Sequence, residues 1–169
     1  MKTGPRYTVR PRRHRQGVTD YRHRLNLLKA RKVRIVVRKS LKKITVQFVD
    51  YNAKGDTVIA QAISSDLLKS YGWGHSISST PAAYLTGILA ATKAKEAGVS
   101  EGVLDIGRYP PTKGNKVFAA LQGVVEAGID CPHSEDKLPD EDRLMGKHID
   151  SGIEADVLKI KKQLIGGGK

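Results

Sequence analysis

The fold is decided by residues 33–64, whose sequence is VRIVVRKSLKKITVQFVDYNAKGDTVIAQAIS. Apolar residues alternate with other residues over Val33–Arg38 and again over Ile44–Asp50, which predicts two half-buried β-strands. The first of these strands is expected to carry two cations, Arg34 and Arg38, on its outer side. A short loop with a central glycine then permits a tight reversal before a third strand over Thr57–Ser64. The stretch therefore predicts a three-stranded antiparallel meander.

Downstream of the meander the pattern changes to helix, strand and helix. Thr80 is the predicted N-cap of a helix whose first position is Pro81 and which ends before Gly98. The apolar run Gly102–Ile106 predicts a short strand, and a second helix is predicted over about 115–127. A helix that connects two strands implies at least one parallel pairing. The predicted fold class is therefore α/β, a mixed sheet with helices packed on it.

Two less regular segments complete the predicted organisation. The Ser- and Gly-rich stretch after the meander predicts a loop that contains Trp73. Residues 131–169 are interpreted as a peripheral extension, with helical spacing over Ile153–Ile165 and a flexible Gly-Gly-Gly-Lys tail. We therefore divide the chain into a basic arm with a short helix at 1–31, a globular domain at 32–130 and this extension.

All of the excess positive charge lies at the N-terminal end of the chain. The first 43 residues contain sixteen Lys and Arg and one acidic residue, whereas the rest contains fourteen Lys and Arg and sixteen acidic residues. The formal net charge of +13 is therefore a property of the leading segment. Because this segment has too few apolar residues to form a core, only a polyanion can relieve its self-repulsion. We expect the arm to become ordered when it binds one.

The arm itself is expected to have two parts. Residues 1–18 contain two prolines and predict no regular structure. Residues 19–30 predict a short amphipathic helix that is capped by its first residue, with Tyr21, Leu25 and Leu28 on the apolar face. A helix of this length is marginal in water, so it needs the protein body or a nucleic acid to hold it.

The composition of the basic segment favours nucleic acid over an undefined acidic partner. Arginine exceeds lysine in the first 43 residues, by ten to six, and its guanidinium group suits bidentate phosphate contacts and stacking on bases. Tyr7 and Tyr21 add rings on which an unpaired base can stack. The segment therefore predicts a nucleic-acid-binding surface, without specifying which nucleic acid.

Enzymatic and metal-dependent functions are not predicted. A meander followed by helix, strand and helix is typical of ribonuclease-H-like nucleases, which need carboxylates around two metal ions. Here the first strand has no carboxylate, the following helix offers only Glu96 and the central strand only Asp105. The five histidines lack metal-ligand spacing. We therefore predict no enzymatic activity, no metal, no cofactor and no small-molecule substrate.

The single cysteine and the absence of long apolar runs bear on location. Cys131 cannot form an internal disulfide, which indicates a reducing compartment, and it is interpreted as a small, partly buried apolar residue. No apolar run reaches the roughly 18 residues that a membrane span needs. The sequence thus predicts a cytoplasmic protein without membrane partners.

The residues before the second long helix leave two interpretations open. Lys113, Gly114, Asn115 and Lys116 could receive a phosphate on free backbone amides and two cations, although the full nucleotide-binding loop is missing. A plain capped turn explains the same residues.

Several stretches together resemble one protein family. They span nearly the whole chain in order: TGPRY at 3–7, TDYR at 19–22, VVRKS at 36–40, YGW at 71–73, TPAAYLTG at 80–87, LDIG at 104–107, PPTKG at 110–114, KVFAA at 116–120, PHS at 132–134 and LPDEDR at 138–143. The chain is similar to the archaeal form of the large-subunit ribosomal protein L-eighteen family.

The resemblance implies a structural role and a set of contacts. It implies a body of the translational-machinery type, related to the ribonuclease-H topology, that binds 5S rRNA and helps to anchor it in the central protuberance of the large ribosomal subunit. Implied partners are 5S rRNA, large-subunit rRNA and neighbouring ribosomal proteins. The residues expected to contact RNA are Arg6, Tyr7, Arg10, Arg12, Arg13, Arg15, Tyr21, Arg22, Arg24, Arg38, Lys39, Lys42, Lys43, Trp73, Lys113 and Lys116. Arg108 and Tyr109 receive less weight. The alternative is a general basic, chromatin-like nucleic-acid-binding protein.

Overall fold

A computed structural model describes residues 4–150 and 152–166. The first residue of the TGPRY stretch, Thr3, and the last three residues of the predicted Gly-rich tail lie outside the described residues.

A four-stranded mixed sheet forms the centre of the fold. The predicted meander is present as β1 (Arg34–Lys39), β2 (Ile44–Asp50) and β3 (Thr57–Ile63), which pair antiparallel in sequence. β4 (Val103–Asp105) pairs parallel with β1, giving the strand order β3-β2-β1-β4. The predicted α/β class, with an antiparallel meander and one parallel pairing, is therefore confirmed.

Two long helices cover one face of this sheet. α4 (Thr80–Glu96) packs against β2 and β3, while α5 (Lys116–Glu126) packs against β1 and against α4. The side chain of Ser79 accepts a hydrogen bond from the Ala82 amide at the start of α4, and Pro81 occupies the first turn, where its missing N–H is not needed. α4 is buried along nearly all of its first three turns because it has neighbours on several sides. These helices and the sheet share one core.

The predicted loop after the meander is wrong in its first half, since α3 (Ser64–Tyr71) occupies it. Ser64, the first residue of α3, accepts a hydrogen bond from the Ile44 amide, and the chain leaves the sheet at this point. The Asp66 carboxylate accepts from the Ile63 amide, and Gly72 ends the helix with φ 68°. The residues that start and stop this helix were therefore present in the sequence. The prediction of a loop gave more weight to the high Ser and Gly content of the segment.

The C-terminal segment is not peripheral, contrary to expectation. It forms α6 (Glu141–Met145) and α7 (Ile153–Gly166), preceded by a 3-10 turn at Glu135–Lys137. α7 packs against α4 and α6, and its residues at helical spacing enter the common core. These residues are Ile153, Val157, Ile160 and Leu164. An apolar stripe of this kind stabilises a helix only by packing against a partner, which α4 provides.

The N-terminal segment is partly helical. α1 (Arg12–Arg15) is a single turn, and α2 (Tyr21–Lys29) follows it. The expectation that 1–18 has no regular structure is therefore wrong for the residues of α1. Pro11 explains the position of this turn because it precedes the first helical residue, and its carbonyl accepts from the amides of His14 and Arg15.

Cys131 is buried within the same core, as the sequence suggested. Its side chain belongs to a residue that is 3% exposed, and burial raises the pKa of its thiol to about 11. It packs as a small apolar residue.

Gly87 and Gly123 allow the backbones of α4 and α5 to approach each other closely. A Cβ atom on Gly123 would lie 2.2 Å from the Tyr84 carbonyl oxygen, which belongs to the backbone and cannot move freely. We expect Gly123→Ala to lower the free energy of unfolding by about 1–3 kcal/mol or more, because the helices must separate. Chemical denaturation followed by circular dichroism measures this change.

The matched control is Gly74→Ala, since a Cβ on Gly74 meets nothing within 4 Å. This variant should unfold at nearly the wild-type denaturant concentration. Equal stability of the two variants would contradict the close approach of the helices.

Candidate nucleic-acid interface

Most of the residues expected to bind RNA lie at the surface. The arm has no core-facing cations, because every residue of α1 and α2 keeps some exposure. The exposed members of the predicted set are Arg6, Tyr7, Arg10, Arg12, Arg13, Arg15, Tyr21, Arg22, Lys42, Lys43 and Lys113. Arg24, Arg38, Lys39 and Lys116 are partly buried.

The sequence predicted that Thr19 caps this helix, but the N-cap of α2 is Asp20. The Asp20 carboxylate accepts hydrogen bonds from the amides of Arg22 and His23, at 3.0 and 3.2 Å. The hydrogen bond from the His23 amide is the largest influence on the pKa of Asp20, which lies below its ordinary value. Thr19 instead accepts from the Nε of Arg13 at 2.9 Å. The side chain of Thr19 therefore joins α1 to α2.

Hydrogen bonds and an ion pair attach the arm to the body. Of the predicted apolar face of α2, Tyr21 is 39% exposed and Leu25 is 56% exposed, whereas Leu28 is partly buried. One guanidinium nitrogen of Arg24 donates to Asp56 at 2.8 Å. Arg108 donates to the carbonyl oxygen of Gly17, just before the helix. The arm is thus attached at two points by arginine hydrogen bonds.

A chain of alternating charges continues from the arm into the sheet. Asp56 accepts from both Arg24 and Arg34, the latter at 2.6 Å. Arg34 also donates to the Asp105 carboxylate at 3.1 Å, and Arg38 donates to its other oxygen at 2.9 Å. Three arginines and two aspartates therefore connect α2, β1 and β4 on the face of the sheet opposite α4.

The position of Arg34 corrects the expectation that this side of β1 faces solvent. Arg34 is only 4% exposed, and Val36 on the same side is 9% exposed. A buried guanidinium is tolerated because two carboxylates accept from it. Strand alternation correctly identified the face, but the arm lies over it and Asp105 of the neighbouring strand β4 contacts Arg34 there.

Asp105 has a structural partner set. Burial acts to raise the pKa of its carboxyl group, but the charge and hydrogen bonds of Arg38, the Gly107 amide and the charge of Arg34 together hold it below the ordinary value. The carboxylate that a nuclease would direct at a metal ion is here bonded to two arginines. Within residues 4–150 and 152–166, His, Cys, Asp and Glu form no group of three suited to a metal ion.

A cleft of about 680 Å³ lies between the arm and this charge chain. Its walls come from the end of α1, the first turns of α2, β1 and the segment after β4. Five arginines line it, together with His23, Tyr109, two aspartates and a few small or apolar residues. The arginines are Arg13, Arg24, Arg34, Arg38 and Arg108, and the aspartates are Asp20 and Asp105. The cleft is therefore a cationic recess that the arm and the body form together.

The tip of the first hairpin presents a second group of cations. The Ser40 hydroxyl accepts from the amides of Lys42 and Lys43, which fixes a tight turn. Lys39 lies with its Nζ 5.3 Å from the centre of the Tyr109 ring. Together with Ser40 and Leu41, Lys39 and Lys116 line a hollow of about 370 Å³, so the hairpin and the start of α5 share one surface.

Trp73 is the one predicted contact residue that the structure places in the core. It is 0% exposed, and its indole N–H donates to the Ser76 carbonyl oxygen at 3.3 Å. Gly72 turns the chain inward at the end of α3, so the ring packs beneath that helix. Trp73 therefore offers no surface to a nucleic acid in this fold.

The residues before α5 form a capped turn. The Gly114 amide donates to the Lys137 carbonyl, and the Asn115 side chain accepts from the Val117 amide. Because these amides already donate within the chain, the structure favours the plain turn over an amide cradle for phosphate. The side chains of Lys113 and Lys116 retain their exposure, complete or partial.

Sequence reasoning gave too little weight to Arg108. This residue lies in a turn after β4, which places it beside the arm although 91 positions separate it from Gly17. The only sequence signal was an arginine next to a tyrosine at the end of a short strand. Long-range contacts of this kind have no local pattern.

None of the helices in the described part of the chain combines the length and the apolar character needed to cross a bilayer.

Comparison with known proteins gives consistent matches over most of the chain. The profile of a family described as ribosomal large subunit proteins 60S L5, and 50S L18, matches residues 5–101. A large ribosomal subunit protein uL18 of Korarchaeum cryptofilum is 56% identical over 91% of this chain and 78% of its own length. The uL18 of Haloarcula marismortui is 52% identical over 88% of this chain and 79% of its own length. The uL18 of Halobacterium salinarum is 51% identical over 88% of this chain and 81% of its own length.

The charge chain predicts that Asp105→Asn is strongly destabilising. Asparagine removes one of the two carboxylates that accept from the buried Arg34, and the carboxylate that pairs with Arg38, so the free energy of unfolding at pH 7 should fall by about 3 kcal/mol. Because the pKa of Asp105 is lowered by folding, its contribution is present above the ordinary carboxyl pKa and is lost as pH falls through the folded value. Urea denaturation at pH 7 and in acid therefore should show a difference that shrinks in acid.

Glu96→Gln removes the same charge from an exposed position at the end of α4 and is the control. It should change stability little at either pH. Equal effects of the two substitutions would show that Asp105 has no special partners.

Proposed function

The chain belongs to the family of large-subunit ribosomal proteins that comprises 60S L5 and 50S L18, and we propose that it binds 5S rRNA and helps to anchor it in the central protuberance. The family consists of ribosomal structural proteins and is not an enzyme family. Membership of the family makes the chain a protein of the large ribosomal subunit, and the proposal adds which RNA it binds.

The placement of charge is the observation that carries the proposal. Among the described residues of the first 43, most of the cations lie on the exposed arm, on α2 and at the tip of the hairpin, outside the α4–α5 core, and Arg34 is the buried exception. A surface of this kind neutralises phosphates and releases counterions, which supplies much of the affinity of protein–nucleic acid complexes. The remaining surface has nearly balanced charge and does not compete for RNA.

We propose direct RNA contacts for the exposed and partly buried members of the predicted set. On the arm these are Arg6, Tyr7, Arg10, Arg12, Arg13, Arg15, Tyr21, Arg22 and Arg24. On the body they are Arg38, Lys39, Lys42, Lys43, Lys113 and Lys116. The exposed rings of Tyr7 and Tyr21 are suited to stacking on unpaired bases, and Tyr21 already lies 6.3 Å from the His14 ring in a stacked arrangement.

We retain three functional segments as part of the proposal. Residues 1–31 act as the RNA-binding arm, 32–130 form the body that fixes where the arm begins, and 131–169 form the C-terminal extension. The ribonuclease-H-like, translational-machinery topology, contacts with large-subunit rRNA and docking of neighbouring ribosomal proteins belong to the same proposal.

Competition between RNA and DNA tests the function. The purified chain should bind 5S rRNA more tightly than bulk duplex DNA in filter-binding titrations at equal salt. If about eight phosphates are neutralised, log K should fall against log salt with a slope of about −5 to −7. Equal affinity for duplex DNA would favour the chromatin-like alternative, and a slope shallower than about −2 would refute the electrostatic mechanism.

The location of the cations should matter more than their number. The triple variant Arg6→Gln, Arg10→Gln, Arg12→Gln should weaken 5S rRNA binding at least about tenfold and reduce the salt slope by roughly 2 to 3. The melting temperature should not change, because these side chains are exposed and outside the core.

The triple variant Lys54→Gln, Lys159→Gln, Lys162→Gln removes the same charge from exposed positions outside the basic segment. It should bind 5S rRNA nearly as the wild type does. Similar losses in both variants would mean that net charge alone governs binding.

A further inference from the structure

The cleft between the arm and the sheet has the composition of an anion site. Five arginines and two aspartates line its volume of about 680 Å³. This volume is within the range of small-ligand sites and leaves room for one unit of RNA backbone. Because the walls belong to both the arm and the body, the site exists only when α2 is docked.

Both aspartates of the cleft are already engaged. Asp20 accepts from two amides at the start of α2, and Asp105 accepts from Arg34, Arg38 and the Gly107 amide. These hydrogen-bond donors and the neighbouring arginine charges hold the pKa of each carboxyl group below its ordinary value, so both groups remain ionised. Their charge is therefore matched by these donors, and the recess as a whole stays cationic.

The arginines retain donors for a ligand. Arg13 bonds to Thr19 through Nε, and Arg108 bonds to the Gly17 carbonyl through one terminal nitrogen. Arg38 lies with 42% of its side chain exposed although it contacts Asp105. A guanidinium group has five N–H donors, so each of these residues can bond a phosphate oxygen without losing its present partner.

A deeper arginine adds an independent sign of an incomplete site. Arg34 lines the cleft and is only 4% exposed. Its terminal nitrogens donate to Asp56 and Asp105, whereas its buried Nε has no acceptor among the described residues. An unpaired buried donor is costly, and an anion in the cleft would offset this cost electrostatically.

We propose that this cleft receives one phosphodiester of the bound RNA backbone, held by Arg13, Arg38 and Arg108. The inference rests on the proposed function, because the ligand is a phosphate of the RNA that the chain binds. The charge chain through Asp56 and Asp105 positions Arg24, Arg34 and Arg38 before RNA arrives, so little ordering is required at this point of the surface. The arm and the body thus clamp the same strand.

The test compares Arg108→Gln with Arg143→Gln in the full chain. Both residues are exposed, but Arg143 lies on α6, outside the cleft and the basic segment. Loss of a charge-assisted phosphate contact should weaken 5S rRNA binding about tenfold in Arg108→Gln and reduce the salt slope by about 1. Arg143→Gln should bind as the wild type does.

Ethylation interference on the RNA identifies the phosphate itself. Ethylation of one particular phosphate should weaken binding of the wild type and of Arg143→Gln strongly, and should cost Arg108→Gln clearly less because one of the three contacts is already lost. Arg13→Gln should reduce the interference at the same phosphate, which keeps the test valid if Arg108→Gln melts at a lower temperature. An identical interference pattern for all four proteins would overturn the proposal.

The experiments distinguish failure of the proposed function from failure of the cleft proposal. If the wild type binds 5S rRNA no better than duplex DNA, the choice of RNA is wrong. If the wild type selects 5S rRNA but Arg108→Gln and Arg143→Gln bind alike, only the proposed phosphate site in the cleft is wrong.

Discussion

The buried ion pair between Arg34 and Asp105 is the contact on which the relation between arm and body depends. It joins β1 to the parallel strand β4 through side chains, in addition to the backbone ladder. Two buried charges are costly to desolvate, and they are stable here because each has a second partner, Asp56 for the arginine and Arg38 for the aspartate. Asp56 also binds Arg24 on α2. The same charges that complete the sheet therefore attach the arm.

Under the proposed function, this attachment lowers the entropic cost of RNA binding. A fully mobile arm would lose all of its conformational entropy on RNA, whereas an arm that is held at Gly17 and Arg24 loses only part of it. No side chain of α2 is fully buried, and the Arg24–Asp56 ion pair links the helix to the body. Such contacts fix the direction in which the arm leaves the sheet while leaving its cations accessible. The body then presents the hairpin and the start of α5 beside the arm.

The rigidity of the body has a different source. α4 and α5 approach so closely at Gly87 and Gly123 that a Cβ atom at either position would overlap a backbone oxygen of the other helix. Short separation gives many dispersion contacts, and α7 closes the core on a third side of α4. The charge-bearing face of the sheet is therefore backed by a dense and rigid layer of helices.

Local periodicity, capping residues and composition were enough to predict the meander, the two long helices, the parallel crossover and the concentration of cations at one end. Stretches such as those around Pro81 and Asp105 also identified the family. No local pattern predicted that Trp73 is buried, that α7 belongs to the core or that Arg34 is an internal ion-pair partner. These outcomes depend on contacts between residues far apart in the chain. Arg108 joins the arm for the same reason, since chain topology, and no local pattern, places it beside Gly17.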